Sequence, residues 1–213
     1  IIIASVVIIM FNISTRFTSF WEALRHVCFQ VASIITTTGY ASVDYDLWPQ
    51  NAKTVLLFLM FLGACAGSTG GGFKVQRLII LVKTFGKEIF SYLHPRSVKI
   101  IKSQGKMIEP EVVRTTQVYL VAYILVFVMS FFLISFENKD MVTNISAVAT
   151  TLNNVGPGFE LVGPTCNFSM LSNFSKIILM FDMLAGRLEL FPILLLFCPS
   201  VWKKERTKKF KKK

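Results

Sequence analysis

The chain has 213 residues, of which 53% are hydrophobic, and it carries a formal net charge of +11. Its mean hydropathy of +0.57 and its long apolar stretches exclude an ordinary soluble domain, in which amphipathic patterning disperses the apolar residues. Nucleic-acid binding is also disfavoured, because the positive charge is concentrated beside apolar stretches, with nine Lys and Arg in 73–114 and eight in 203–213.

The first predicted elements lie in residues 1–92 and form one unit. Residues 1–13 are apolar but too short to cross a bilayer at about 1.5 Å per residue, so we interpret them as part of a truncated span. Residues 19–40 form a short, more polar helix that ends in the turn "TTTGY". A second span over 49–92 is predicted to be broken by the glycine-rich segment 63–72.

The second half of the chain has the same order of elements. Residues 93–114 are predicted as a basic cytoplasmic linker, followed by a span over 115–136. A short helix and a glycine turn occupy 141–159, and a last span covers 177–200. The final residues, 201–213, form a basic tail, as is typical of a segment beside anionic lipid.

An internal repeat relates the two halves. The stretch "KTVLLFLMFLG" (53–63) aligns without a gap to "KIILMFDMLAG" (176–186), and a glycine turn precedes each. The repeat predicts two units, 1–92 and 115–200, each built as span, short helix, turn and span. The predicted fold is therefore an all-α membrane protein with tandem span–pore loop–span repeats, a broken helix and an intramembrane loop.

Charge asymmetry predicts the orientation of these elements. Segments 14–53 and 137–176 contain few Lys and Arg, so the positive-inside rule places 73–114 and the C-terminus in the cytoplasm. Because 137–176 must begin and end outside, residues 141–159 are predicted to enter the bilayer and return on the same side. Such irregular backbone is tolerated only where protein or a water-filled cavity surrounds it. A multi-pass protein of the plasma (inner) membrane with pore loops is predicted.

The two turns have the composition of a cation filter. A filter replaces the hydration shell of an ion with backbone carbonyls, and glycine permits the backbone angles that this requires. Each short helix also directs its partly negative C-terminal end at its turn. The candidate filter residues are Thr37, Thr38, Gly39, Asn154, Val155 and Gly156. The acidic residues Asp44, Asp46 and Glu160 follow on the outer side, where they would concentrate cations. The alternative is a pair of ordinary loops.

The segment "GACAGSTGGGFK" (63–74) resembles a phosphate-binding loop only superficially. In a Walker motif Lys follows the last Gly directly, whereas here Phe73 separates Gly72 from Lys74, and Val75 replaces the Ser or Thr. The preceding helix is too short to cross, so 63–72 is predicted to lie at mid-depth in the membrane. Close helix packing by small residues is the alternative explanation.

Arg187 lies about halfway along the last predicted span, where a charge costs at least about 2.5–3.5 kcal/mol. Asp182 and Glu189 lie on the opposite face of a continuous helix, so neither is a ready partner. We predict that carbonyls of 63–72 accept hydrogen bonds from Arg187. Pairing with a carboxylate from a part of the protein outside this sequence is the alternative.

Five motifs in order, "TTTGY", "GACAGSTGGGFKVQR", "LHPRSV", "NNVGPGF" and "GRLELFP", resemble the Trk/Ktr/HKT superfamily of potassium transporters, most closely its Trk-type membrane subunit. The resemblance implies four repeats around one ion path, of which this chain has two, similar to the third and fourth. It also implies that the intramembrane loop obstructs the pore as a gate. The gate residues would be Gly63, Ala66, Gly67, Ser68, Thr69, Gly70, Gly71, Gly72 and Arg187.

Potassium uptake is the function that this resemblance implies, and no enzymatic constellation is present in the sequence. The expected partners are the two missing N-terminal repeats, a second copy in a homodimer, the lipid bilayer, and a cytoplasmic nucleotide-binding regulatory subunit on a face such as 83–112. We expect no cofactor, no nucleic acid and no metal besides transported K⁺ at the filter residues. The alternatives are a Na⁺-permeable relative and a non-conducting structural scaffold from a split gene.

Overall fold

The computed structural model describes residues 1–13, 16–17, 19–63, 68, 70–94, 101–103, 106–188 and 190–196. Its helices are α1 (Ile2–Ile13), α2 (Phe20–Ile35), α3 (Gln50–Phe61), α4 (Val75–Leu93), α5 (Pro110–Ser135), α6 (Met141–Leu152), α7 (Asn173–Arg187) and α8 (Leu190–Leu196). Its strands are β1 (Leu62–Gly63), β2 (Phe73–Lys74), β3 (Lys102–Ser103) and β4 (Lys106–Met107). The predicted helical class is therefore confirmed.

The helices pack in two groups that meet between α3 and α6. Helices α1, α2 and α3 contact one another, and so do α5, α6 and α7. The core of the first group includes the fully buried Val27 and Leu56, and it is completed by Val155 and Phe159 from the segment after α6. Apolar burial therefore fixes that segment against the first group of helices.

Helix α5 is the one helix of the described residues that is long and apolar enough to cross a membrane. Its 26 residues extend over about 39 Å at about 1.5 Å per residue. Val121, Leu125, Val128 and Phe132 lie along one of its faces and are exposed. Such a face is favourable against hydrocarbon or another apolar surface and unfavourable against water.

Helix α5 begins earlier than the sequence suggested. Its first residue is Pro110, five positions before the predicted start at 115. Proline suits the first turn of a helix, because its fixed φ is helical and its missing N–H would have no partner there. The preceding segment contains the antiparallel pair β3–β4, in which Lys102 faces Met107. The described part of the predicted linker 93–114 therefore contains a strand pair and the first residues of α5.

The last apolar segment, predicted as one span over 177–200, is not one continuous helix in the described residues. Helix α7 ends at Arg187, and α8 begins at Leu190. Pro192 supplies the physical reason, because a continuous helix would require its absent N–H and would bring its ring against the carbonyl of Leu188. Arg187 therefore lies at the end of a helix, beside a break.

Candidate functional site

Helix α2 ends in a turn that is closed by two backbone hydrogen bonds. The Thr38 amide donates to the Ser33 carbonyl at 2.9 Å, and the Thr37 amide donates to Ile34 at 3.0 Å. Thr37 has φ 55°, in the left-handed region. This combination is a Schellman motif, which satisfies helix-end carbonyls. The Ser33 hydroxyl donates to the Tyr40 carbonyl at 2.6 Å and holds the chain that leaves the turn.

Helix α6 ends in the same way, at the equivalent place. The Val155 amide donates to Thr150 at 2.8 Å, and the Asn154 amide donates to Thr151 at 3.0 Å. Asn154 has φ 55°, the same value as Thr37. The left-handed conformation is uncommon without glycine, and its occurrence in both turns means that their backbones follow one geometry.

The two turns touch each other. A Cβ on Gly39 would lie 2.1 Å from the Val155 carbonyl oxygen and 3.2 Å from the Pro157 ring. The nearest atom to a Cβ on Gly156 would be the Gly39 Cα, at 4.0 Å. The structure thus brings together both predicted filter triplets, 37–39 and 154–156. The partly negative C-terminal ends of α2 and α6 converge on one place, which favours a cation there.

Outside the turns, an ion-pair cluster joins the two halves. The Lys53 Nζ lies 3.1 Å from Asp46 Oδ1 and 3.6 Å from Glu160 Oε1, and the Glu160 amide donates to Asp46 Oδ2 at 2.6 Å. Asp44 accepts from the Asp46 amide at 3.0 Å. The carboxylate of Asp46 is therefore a structural tie that Lys53 neutralises, and it concentrates cations less than the sequence suggested.

The glycine-rich segment returns close to where it begins. Strands β1 and β2 pair in parallel, with Leu62 opposite Phe73. A Cβ on Gly63 would lie 2.4 Å from the Gly71 carbonyl oxygen, so glycine is required for this approach. Of the other predicted gate residues, Ser68 and Gly70 are half-buried, and Ala66, Gly67 and Thr69 lie outside the described residues.

The end of this segment lies against the turn that follows α6. A Cβ on Gly71 would lie 2.6 Å from the Asn153 carbonyl oxygen, and one on Gly72 would lie 2.5 Å from Asn153 Oδ1. Asn153 is fully buried, and its Oδ1 accepts from the Tyr123 hydroxyl at 2.8 Å. Phe73 packs on Tyr123 with ring centroids 6.1 Å apart. Sequence analysis did not identify Asn153 or Tyr123, which lie on separate elements.

Helix α7 contacts the same turn with its last residues. The Asn154 Nδ2 donates to the Met183 carbonyl at 3.1 Å. A Cβ on Gly186 would lie 1.8 Å from the Leu152 carbonyl oxygen, so only glycine permits this approach. Arg187 follows Gly186, and its side chain is exposed in the structure of this single chain. The turn after α6 therefore contacts both the glycine-rich segment and the helix end that bears Arg187.

No hydrogen bond joins Arg187 to a carbonyl of the glycine-rich segment among the residues that the structure describes. Three of the predicted gate residues, Ala66, Gly67 and Thr69, lie outside the described residues, so this contact stays a prediction. Helix α7 ends at Arg187, so the continuous helix on which the sequence analysis compared Arg187 with its acidic neighbours does not extend beyond that residue.

Asp182 is a buried acidic residue that makes a specific contact between two helices. It is fully buried on α7, and its Oδ1 accepts from the Ser130 hydroxyl of α5 at 2.6 Å. In membrane proteins, buried acidic residues within helices are rare, and they usually face a bundle interior and pair with a donor. The pair ties the long span to the helix that bears Arg187.

Replacing Ser130 with alanine is expected to destabilise the protein by about 1–3 kcal/mol, because it removes the donor to a buried carboxylate. Thermal unfolding in detergent would measure the effect as a lower Tm. Ser135→Ala, on the exposed part of the same helix, is the matched control and should leave the Tm unchanged. An equal Tm for both variants would mean that the contact with Asp182 contributes nothing to stability.

Comparisons with known proteins agree with this architecture. A family model described as "TrkH: Cation transport protein" matches residues 4–204. The chain is 38% identical over 187 residues to the Trk system potassium uptake protein TrkH of Vibrio parahaemolyticus, covering 88% of this chain and 38% of the relative. It is 37% identical over 201 residues to the TrkH of Halomonas elongata, covering 92% of this chain and 41% of the relative.

A solved structure is also similar. The crystal structure of the potassium transporter TrkH from Vibrio parahaemolyticus aligns with a TM-score of 0.84 at 36% identity, over 95% of this chain and 42% of that one. The chain thus spans about two fifths of the length of the relatives that it matches. The resemblance inferred from the five sequence motifs is confirmed.

Proposed function

Because this chain belongs to the TrkH family of cation transport proteins, we propose that it forms part of a potassium-uptake pathway. The turns 37–39 and 154–156 are then two sectors of a cation-selective filter. The relatives carry the name of potassium uptake proteins, and their membrane character fits the exposed apolar face of α5.

The observation that carries this proposal is the contact between the two turns. Gly39 approaches the Val155 carbonyl so closely that a Cβ would lie 2.1 Å from its oxygen. Each turn follows a short helix whose C-terminal end carries a partial negative charge. Each also has a residue in the left-handed conformation at the equivalent position, Thr37 in one and Asn154 in the other. Two helix ends with one backbone geometry, meeting at one point, are suited to present carbonyls to a cation without its water.

The glycine-rich segment is the proposed gate, together with Arg187. Its end lies against Asn153, the residue directly before the 154–156 turn, so it is adjacent to the proposed filter. Small residues allow backbone to approach backbone and to move within a narrow passage. Arg187 adds a positive charge near the same turn, which would oppose a cation in transit.

The remaining proposals concern what surrounds the chain. Two further repeats would complete the ion path, because two turns alone do not encircle an ion. We also propose a multi-pass protein of the inner membrane, with its C-terminus in the cytoplasm, since the basic segments 73–114 and 203–213 fit that orientation. A homodimer and a nucleotide-binding regulatory subunit that contacts 83–112 complete the proposed assembly.

The test is ion flux through a chimaera in which this chain replaces the matching part of TrkH from Vibrio parahaemolyticus. Purified chimaera in liposomes should take up radioactive Rb⁺, and external K⁺ should compete with this uptake more strongly than Na⁺. Competition of equal strength by Na⁺ would indicate a Na⁺-permeable relative. Absence of uptake by a correctly folded chimaera, judged by its elution as one species from a sizing column, would contradict a conducting role.

A further inference from the structure

Asn153 is buried where the glycine-rich segment, α5 and the turn after α6 meet. Its side chain is 0% exposed, its Oδ1 accepts from Tyr123 at 2.8 Å, and its Nδ2 donates to the Ala149 carbonyl at 2.7 Å. Turning the amide would bring its oxygen against the Ala149 carbonyl oxygen, which replaces a buried hydrogen bond with repulsion. The Asn153 side chain therefore has one favoured orientation, and it presents a fixed surface to its neighbours.

The glycine-rich segment rests on that surface. Gly72 is so close that a Cβ would lie 2.5 Å from Asn153 Oδ1, and its φ of 80° is a conformation that glycine adopts readily. The next residue, Phe73, packs on the ring of Tyr123, whose hydroxyl holds Asn153. One tyrosine thus contacts both the end of the segment and the residue that supports it.

The residue after Asn153 extends the contact to α7. Asn154 donates to the Met183 carbonyl at 3.1 Å, one helical turn before Arg187. Asn154 also takes the left-handed conformation that shapes the turn 154–156. Two consecutive residues therefore join the glycine-rich segment, the end of α7 and the turn.

We propose that Asn153, held in place by Tyr123, is a positioning residue that couples the glycine-rich segment to the 154–156 turn. This inference rests on the proposed function, in which the segment is the gate and the turn belongs to the filter. When the segment leaves the ion path, Gly71 and Gly72 leave Asn153, and the backbone that leads into the filter loses its support. Flux and ion selectivity should then change together.

The first measurement does not depend on conduction. Ser68, whose hydroxyl oxygen is buried, is replaced by cysteine in a chimaera whose native cysteines have all been removed. The rate at which a water-soluble methanethiosulfonate reagent modifies Ser68→Cys reports how often the segment leaves its site. Tyr123→Phe removes only the hydroxyl and keeps the ring contact with Phe73. It should raise this rate about two- to tenfold, the range expected for one buried hydrogen bond.

Asn153→Ala should raise the modification rate at least as much, and the double variant no more than the larger single effect, because the two residues act through one contact. Tyr45→Phe is the matched control, since it removes another buried hydroxyl, the donor to the Gly158 carbonyl at 3.1 Å. It should leave the rate unchanged. An unchanged rate in Tyr123→Phe, or an equal rise in Tyr45→Phe, would overturn the proposed support of the segment. If Asn153→Ala does not fold, the modification rate of Tyr123→Phe alone tests the proposed support.

The second measurement tests the coupling to the filter. In liposomes, Tyr123→Phe should raise Rb⁺ uptake and weaken the preference for K⁺ over Na⁺ in competition. Higher uptake with unchanged preference would overturn the coupling, because Asn153 would then support the segment alone. Increased thiol modification in a chimaera that takes up no Rb⁺ would support the mechanical contact and contradict the proposed function, so the two failures are distinguishable.

Discussion

Replacing Gly39 with alanine is expected to reduce Rb⁺ uptake at least about tenfold while leaving membrane insertion intact. Gly39 has φ 79°, where a side chain costs about 1–3 kcal/mol in strain. The new Cβ would also lie 2.1 Å from the Val155 carbonyl oxygen, and a backbone atom cannot move away as the end of a side chain could. The variant must therefore separate the two turns that form the proposed filter. Gly39→Val should be at least as severe.

The control for this prediction is Gly86→Ala, on the exposed surface of α4. A Cβ there meets nothing within 4 Å, and alanine favours a helix more than glycine does. Gly156→Ala distinguishes backbone strain from steric clash as the cause of the loss. Its φ is 115°, but its Cβ would meet only the Gly39 Cα, at 4.0 Å. It should impair uptake less than Gly39→Ala. Normal uptake by Gly39→Ala would reduce both turns to ordinary connections between helices.

Deleting residues 66–71 should raise Rb⁺ flux several-fold, because it removes the proposed obstruction. The ends of the deleted stretch lie close together, because a Cβ on Gly63 would lie 3.1 Å from the Gly72 carbonyl carbon. The remaining residues need only close a short connection between Gly63 and Gly72. Lower flux from a folded deletion variant would mean that the segment is packing material and not a gate.

Arg187→Ala should also raise flux, because it removes a positive charge from beside the ion path. The gain should be sub-additive with the deletion if the guanidinium acts through the glycine-rich segment, as is usual for groups in contact. Rb⁺ uptake by the parent, both single variants and the double variant measures this. Additive gains would leave two independent barriers and would contradict a hydrogen bond between Arg187 and the segment. Arg187→Lys, which keeps the charge, is the control for electrostatics.

The positions of the two turns were predictable from the sequence because the repeat places them at matching distances before similar apolar stretches. Glycine and small polar residues at 37–39 and 154–156 then indicated their chemistry. The break after Arg187 was missed although its signal was present, since Pro192 cannot continue a helix through Leu188. Apolar composition had suggested one span, but composition does not report backbone hydrogen bonding.

The contact of Tyr123 with Asn153 could not be predicted in this way. The two residues are 30 positions apart, Tyr123 within α5 and Asn153 directly after α6. Asn153 begins the motif "NNVGPGF", but the motif does not indicate a partner on another helix. Only the packing of α5 on α6 brings them together. The same is true of Asp182 with Ser130, which are 52 positions apart. For Asp46 the sequence suggested a charge that would attract cations, whereas in the structure its carboxylate pairs with Lys53.

The parallel pairing of β1 with β2 has a consequence for how the glycine-rich segment can vary. Because Leu62 pairs with Phe73, the two ends of the segment lie close together. The entropy of closing such a loop grows only by about 0.6 kcal/mol for each doubling of its length. Changes of length among residues 64–70 should therefore cost little in folding free energy, provided that Gly71 and Gly72 keep their contacts with Asn153. The length of that part of the segment can then adjust conductance with little change in stability.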